Sequence, residues 1–200
     1  MLTTRLGIIG LVCLFAAQGP KMALTAFPGT RDTLASPGGG QLLLNVDAEN
    51  GQQAEALGNS HVLLLIDPAR PSVLRIWQYG RSVDVAWSPD GSRILLNDHE
   101  GSNITSCHVL TVKPSADILN IEEENVGDLL KKQVKRESGR WAHEYIEGLG
   151  WTDKSDLRIK VVSYGPLDGQ KEDGNGVERH YTYSSEKGFA LAPSGSLSKK

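Results

Sequence analysis

The densest group of chemistry-bearing side chains is the run Asn97-Asp98-His99-Glu100-Gly101-Ser102-Asn103. A carboxylate, an imidazole and a second carboxylate are the residue types of an acid-base pair or a partial metal shell. Consecutive residues on a strand point to opposite faces, so Asp98, His99 and Glu100 converge only where a loop bends them. The run follows a strand pattern directly, and an ordinary solvated hairpin loop is the better explanation of it. His61, His108, His143 and His180 are scattered, without His-x-x-His or His-Glu-x-x-His spacing, so no metal site and no cofactor are expected. No Gly-x-Ser-x-Gly elbow marks a nucleophile, so no catalytic residue is assigned. Asn103-Ile104-Thr105 fits a glycosylation acceptor, relevant only where the host glycosylates exported chains.

The elements that carry this run are a repeat. Ser36-Pro37-Gly38-Gly39-Gly40-Gln41-Leu42-Leu43-Leu44-Asn45 aligns without a gap on Ser88-Pro89-Asp90-Gly91-Ser92-Arg93-Ile94-Leu95-Leu96-Asn97. Each copy sets a Ser-Pro-x-Gly turn before a short apolar strand. Proline presets φ at the first central position, glycine accepts the φ of the reversal, and the Ser36 and Ser88 hydroxyls can brace the backbone. Before the second turn, Val83, Val85 and Trp87 alternate with Asp84 and Ala86, as a half-buried strand requires. A degraded third copy runs from Gly148 to Val161, with Trp151 in the place of Trp87 and Thr152-Asp153-Lys154-Ser155 in the place of the proline turn. Further strand patterns follow each copy, at 61–66, 72–77, 106–112 and 176–183. Repeats of about 50 to 60 residues with three or four strands match blade-like meanders.

Trp87-Ser88-Pro89-Asp90-Gly91-Ser92-Arg93-Ile94 resembles the signature of TolB-type, WD-repeat-like β-propeller blades, found in periplasmic assembly proteins and in the propeller domains of some peptidases. The resemblance is specific over 83–97, weaker over 36–45 and loose elsewhere. In that family the motif closes a blade hairpin, so it implies architecture and no active residue. A closed ring needs about four or more blades, and this chain has room for about three. The expected fold is all-β, with about three propeller-blade-like antiparallel meanders forming an incomplete or compacted propeller.

One segment breaks the β pattern. Val126, Leu129, Leu130 and Val134 fall on one helical stripe, with Asn125 as N-cap and acidic residues at the positive end. Lys131, Lys132, Lys135 and Arg136 sit near the negative end, and Gly139 can stop the helix. An amphipathic helix inserted between the second and third repeats is therefore expected.

The first residues have another purpose. Arg5 precedes an apolar run from Leu6 to Ala17, the form of a secretory signal covering 1–23, with a retained N-terminal anchor as the alternative. The run is shorter than the roughly 20 residues of a membrane span, so no stable span is expected in the mature chain. The repeat domain then covers 24–192, and the Ser-, Gly- and Lys-rich residues 193–200 form a disordered tail. Loss of the leader takes the basic count from 21 to 19 against 24 acids, an acidic balance that disfavours nucleic acid. Cys107 is then the lone cysteine, either a buried small hydrophobe or a free or intermolecular thiol. Trp77, Trp87, Trp141 and Trp151 could line a binding surface, but in a chain with only 3 phenylalanines they are expected to form the core between sheets.

Two functions follow. The first is a non-enzymatic exported interaction or scaffold module, periplasmic or extracellular, that holds another protein or an envelope component and can pair with itself through exposed strand edges. The second is a small exported hydrolase or metal-dependent enzyme built on Asp98, His99 and Glu100.

Overall fold

The computed structural model describes residues 23–47, 60–70, 72–101, 104–114, 119–138, 141–166 and 177–192. The leader, the C-terminal tail, Gly139 and Asn103 lie outside these residues. Among those described, the fold is all-β with one helix, in three antiparallel sheets of which none closes on itself.

Sheet 1 runs β2 (Thr33–Ala35), β3 (Leu42–Val46), β4 (His61–Asp67), β5 (Ser72–Tyr79). Sheet 2 takes β6 (Val83–Trp87), β7 (Arg93–Gly101), β8 (Ile104–Pro114) and β9 (Leu119–Asn125), with β1 (Thr25–Phe27) added on the free edge of β6. Sheet 3 runs β10 (Trp141–Trp151), β11 (Leu157–Pro166), β12 (Val177–Ser184), β13 (Gly188–Leu191). In each sheet consecutive strands pair antiparallel, so each run of four is a meander.

The three repeat turns share one hydrogen-bond pattern. Ser36, Ser88 and Thr152 donate their backbone N–H to the carbonyls of Gln41, Arg93 and Asp156 at 2.9, 2.8 and 2.8 Å. Their hydroxyl oxygens accept the N–H of the same three residues at 3.1, 2.9 and 3.1 Å. Gly39, Gly91 and Ser155 close the turns at φ of 67°, 70° and 61°. The third turn is one residue shorter and holds a serine in the left-handed region, which explains why its sequence is the least like the others.

Sheet 2 is the middle layer. Val83, Val85, Trp87, Ile94, Leu96 and Leu110 pack toward Leu43, Leu63 and Leu65 of sheet 1. Ala86, Leu95, Cys107 and Val109, from the opposite face, pack toward Ile146, Trp151, Leu157, Ile159 and Val161 of sheet 3. Trp87 donates its indole N–H to the carbonyl of Leu34 at 3.3 Å, and Trp151 donates to the carbonyl of Ala86 at 3.1 Å. Both tryptophans are buried, and the Arg93 guanidinium lies 4.8 Å above the Trp151 ring. The side chain of Trp141 is not described.

The inserted helix is α1 (Val126–Ser138). Asn125 caps it, its Oδ1 accepting the Asp128 N–H at 2.8 Å. Val126, Leu130 and Val134 are buried against sheets 2 and 3, whereas Leu129 stays exposed at the edge of the stripe. It is the only helix among the described residues, and no described helix is long and apolar enough to cross a membrane.

Asn45 and Asn97 are repeat-equivalent and both face the next sheet, yet they are used differently. Asn97 accepts the Gly148 N–H and donates to the Gly148 carbonyl, both at 2.8 Å, so its amide acts as one rung of a β-ladder. The approach is so close that a Cβ on Gly148 would stand 2.4 Å from the Leu95 Cδ1. Asn45 accepts one bond, from the Tyr79 hydroxyl at 2.6 Å. Asn97→Ala strands two buried backbone groups, each costing about 1–3 kcal/mol, and Asn45→Ala strands one hydroxyl. Urea unfolding should therefore show Asn97→Ala costlier than Asn45→Ala by about 2 kcal/mol.

Candidate functional site

Asp98, His99 and Glu100 extend strand β7 rather than forming a solvated loop. The ladder continues through Val83↔Asp98 and Asp98↔Ser106, and the hairpin turns only beyond Gly101. The alternation of a strand then sends the three side chains apart. Asp98 enters the interface with sheet 1, is only 5% exposed, and accepts the Trp77 indole N–H at 2.8 Å. His99 leaves on the opposite face, with Nε2 2.9 Å from Asp84 and Nδ1 3.2 Å from the Thr105 hydroxyl. Glu100 is exposed and accepts the Ser106 hydroxyl at 3.0 Å. The trio is therefore not a site, and no group of three or more His, Cys, Asp or Glu placed to hold a metal occurs among the described residues.

The strands instead assemble two carboxylate-imidazole-hydroxyl chains. Asp84, His99 and Thr105 form one, opening on a cavity of about 270 Å³ with Tyr145, Glu147 and Lys160 in its wall. Ser106, His108 and Glu123 form the other. His108 Nε2 stands 2.9 Å from the Ser106 Oγ and Nδ1 2.9 Å from Glu123. His108 is buried with its ring tilted against Trp77 at 4.6 Å. A hydroxyl has one hydrogen, and Ser106 gives it to Glu100. The second chain is therefore a brace across β7, β8 and β9 rather than a primed nucleophile.

Neither chain was visible as a motif, because its members are brought together by register. His108 and Ser106 are two apart on β8 and share a face, but Glu123 comes from β9, and its position follows from the register of β9 on β8, which neither strand shows alone.

Burial shapes the acid-base properties of the interior. Desolvation raises Asp98, with the Trp77 N–H pulling against it and the charge of Glu100 adding to it. Desolvation also raises Tyr79, helped by the nearby Asp47 and Asp98 charges. The Cys107 thiol is fully buried and pushed up to about 12 by that burial, so it stays protonated and behaves as a small hydrophobe.

A third feature is apolar. Sheets 1 and 2 splay apart at their outer strands, leaving a groove of about 370 Å³ between β5 and β9. Leu74 and Ile76 line one wall and Leu110, Leu119 and Ile121 the other, with Arg75 and Glu123 among its polar residues. Both β5 and β9 are the last strands of their sheets. The equivalent wedge between sheets 2 and 3 is filled. Counting from the turns, Ile94↔Leu110 matches Leu157↔Tyr183, and Leu110↔Glu123 matches Tyr183↔Phe189. Tyr183 and Phe189 lie ring on ring at 4.7 Å, and the Tyr183 hydroxyl reaches Glu124 of sheet 2. Leucine and glutamate stand where that aromatic pair stands, and the groove is the volume they leave.

Comparison with protein-family models, curated proteins and solved structures finds no match to this chain.

The buried Asp98 supplies a pH test. Its folded value is raised, so across the window between the ordinary carboxylate range and that value the fold holds a proton the unfolded chain has released. Stability contributed by this group therefore falls as pH rises. Asp98→Asn keeps the acceptor for Trp77 and removes the charge, at about 2–4 °C for each kcal/mol recovered. Thermal melts should show the variant gaining on the native chain at pH 7.5 and the gain shrinking at pH 4.

Proposed function

We propose that this chain is an exported interaction module built from TolB-type, WD-repeat-like repeats, and that it holds a partner protein in the groove between β5 and β9. One observation carries this reading: the wedge between sheets 2 and 3 is filled by Tyr183 and Phe189, whereas its counterpart between sheets 1 and 2 is open. The partner that fits is an extended segment carrying an aromatic side chain. Its ring takes the place that Tyr183 takes in the other wedge, and its backbone pairs with the edge of β5 or β9. The apolar run from Leu6 to Ala17 after Arg5, in the form of a secretory signal, supports a site of action outside the cytoplasm.

Panning a random peptide library against the full chain tests this. Enriched peptides should carry an aromatic residue, bind the native chain, and weaken at least tenfold against Ile121→Trp, which fills the groove from one wall. Peptides that bind the variant equally well would exclude the groove.

A second reading, hydrolysis, is favoured by the order Ser106–His108–Glu123, which has the nucleophile, base and orienting carboxylate in sequence at 2.9 Å each. With the Ser106 hydroxyl donating to Glu100 rather than to His108, a fluorophosphonate should leave Ser106 unmodified in intact-mass spectra. Labelling lost in Ser106→Ala would replace the interaction reading with an enzymatic one.

A further inference from the structure

Asp84, His99 and Thr105 come from three neighbouring strands, β6, β7 and β8. Regular pairing of β7 with β8 stops at Asp98↔Ser106 and resumes at Gly101↔Ile104, so His99 lies in an irregular stretch. Its backbone N–H turns instead to the Ser82 carbonyl at 3.0 Å. Such irregularities re-aim a side chain, and here the ring stands between a carboxylate and a hydroxyl. An ionised carboxylate only accepts, so Asp84 fixes the hydrogen of the neutral imidazole on Nε2, 2.9 Å away. Nδ1 then carries a lone pair, and the Thr105 hydroxyl donates to it at 3.2 Å. Among the described residues no second acceptor competes for that hydrogen. Ser106 differs at this point, since its hydrogen goes to Glu100. Thr105 is thus the hydroxyl backed by a free base nitrogen, and the base is held in place by a carboxylate.

The cavity on which this chain opens supplies the rest. Lys160 brings an ammonium and Tyr145 a phenol to its wall, both groups that stabilise a developing oxyanion. Val162 adds an apolar patch. The volume of about 270 Å³ lies just below the usual range of small-molecule sites, so the substrate is small. Asp84 and Glu147 outnumber Lys160 there, which disfavours an anionic substrate.

We propose that Thr105 is the nucleophile, His99 the general base and Asp84 the orienting carboxylate of a site that hydrolyses small, uncharged carboxylic esters. Thr105 Oγ1 bonds to the ester carbonyl carbon as its proton passes to His99 Nδ1, and the carbonyl electron pair moves onto oxygen. That pair returns as the bond to the leaving oxygen breaks, and the leaving oxygen takes the proton from Nδ1. Water then attacks the acyl-threonine by the same route, so ester and water become acid and alcohol and Thr105 is restored. The site lies apart from the groove between β5 and β9, and neither depends on the other.

Release of p-nitrophenolate from p-nitrophenyl acetate by the full chain tests this. The native chain should turn over repeatedly, and acid-quenched samples should carry an acetyl ester on Thr105 in peptide mass spectra. Thr105→Val, which keeps the shape and removes the hydroxyl, should lower the rate roughly a hundredfold, as should His99→Gln and Asp84→Asn. Thr105→Ser should retain most of it. All three side chains are partly exposed, so circular dichroism should show every variant folded. A native rate no faster than that of free imidazole at equal concentration overturns the proposal. So does a rate that survives Thr105→Val, which leaves His99 acting on the ester alone, or an acetyl group found only on Ser106 or on lysine.

Discussion

Trp87 and Trp151 stand one residue before the turn hydroxyl of their repeats. Each gives its indole N–H to a carbonyl two residues before the turn hydroxyl of the previous sheet, Leu34 and Ala86. The bond itself is worth about 1 kcal/mol, and the larger part of the energy is the burial of the ring. Its structural consequence is greater than its strength. A donor at one fixed point of a rigid ring and an acceptor on an edge carbonyl fix both the offset and the separation of two sheets. Everything farther from the turns follows from that fixed point, including the Asn97 clamp on Gly148 and the splay that opens the groove at β5 and β9.

The same constraint explains why one wedge is filled and the other is not. Sheets pinned near the turns diverge toward their outer strands, so the residues there must grow or a gap opens. Between sheets 2 and 3 the chain uses two aromatic rings and a helix whose Val126, Leu130 and Val134 seal the far end. Between sheets 1 and 2 it uses Leu110, Ile121 and Glu123 and stops short of closure. Packing defects of this size lose dispersion contacts along both walls, which makes the groove a place where a further apolar side chain gains by entering.

The hairpins were legible in the sequence because they are local. A hydroxyl, a proline and a glycine within four residues specify a turn, and alternation on either side specifies the strands, so Ser36, Ser88 and even the degraded Thr152 mark real reversals. Helix α1 was legible for the same reason, with its cap and stripe contiguous. Strand β1 was not, since three residues carry no usable period and its pairing with β6 spans nearly sixty positions. The candidate site was not legible: a polar run after a strand has the composition of a loop, yet pairing with β8 keeps it extended. Asn45 and Asn97 show the deeper limit. Identical residues at aligned positions acquire different partners, because Gly148 can bring its backbone within reach of one and nothing equivalent approaches the other among the described residues.

Asp98 shows how such a position can be tolerated. Its equivalent in sheet 3 is an inward residue of an aliphatic row, and its neighbours Ile94 and Leu96 are apolar, so a carboxylate there opposes the pattern of its own strand. The Trp77 N–H compensates one oxygen, while Oδ1 has no hydrogen-bond partner among the described residues. A buried acceptor left half-satisfied costs about as much as the one good hydrogen bond returns. The arrangement thus gives little net stability, but it fixes where Trp77 lies. With its N–H held by Asp98 and its ring against His108, Trp77 ties the outer strand of sheet 1 to sheet 2 at one end. The groove beside it therefore has one wall anchored by a polar contact across the interface and another formed by β9 on its own sheet.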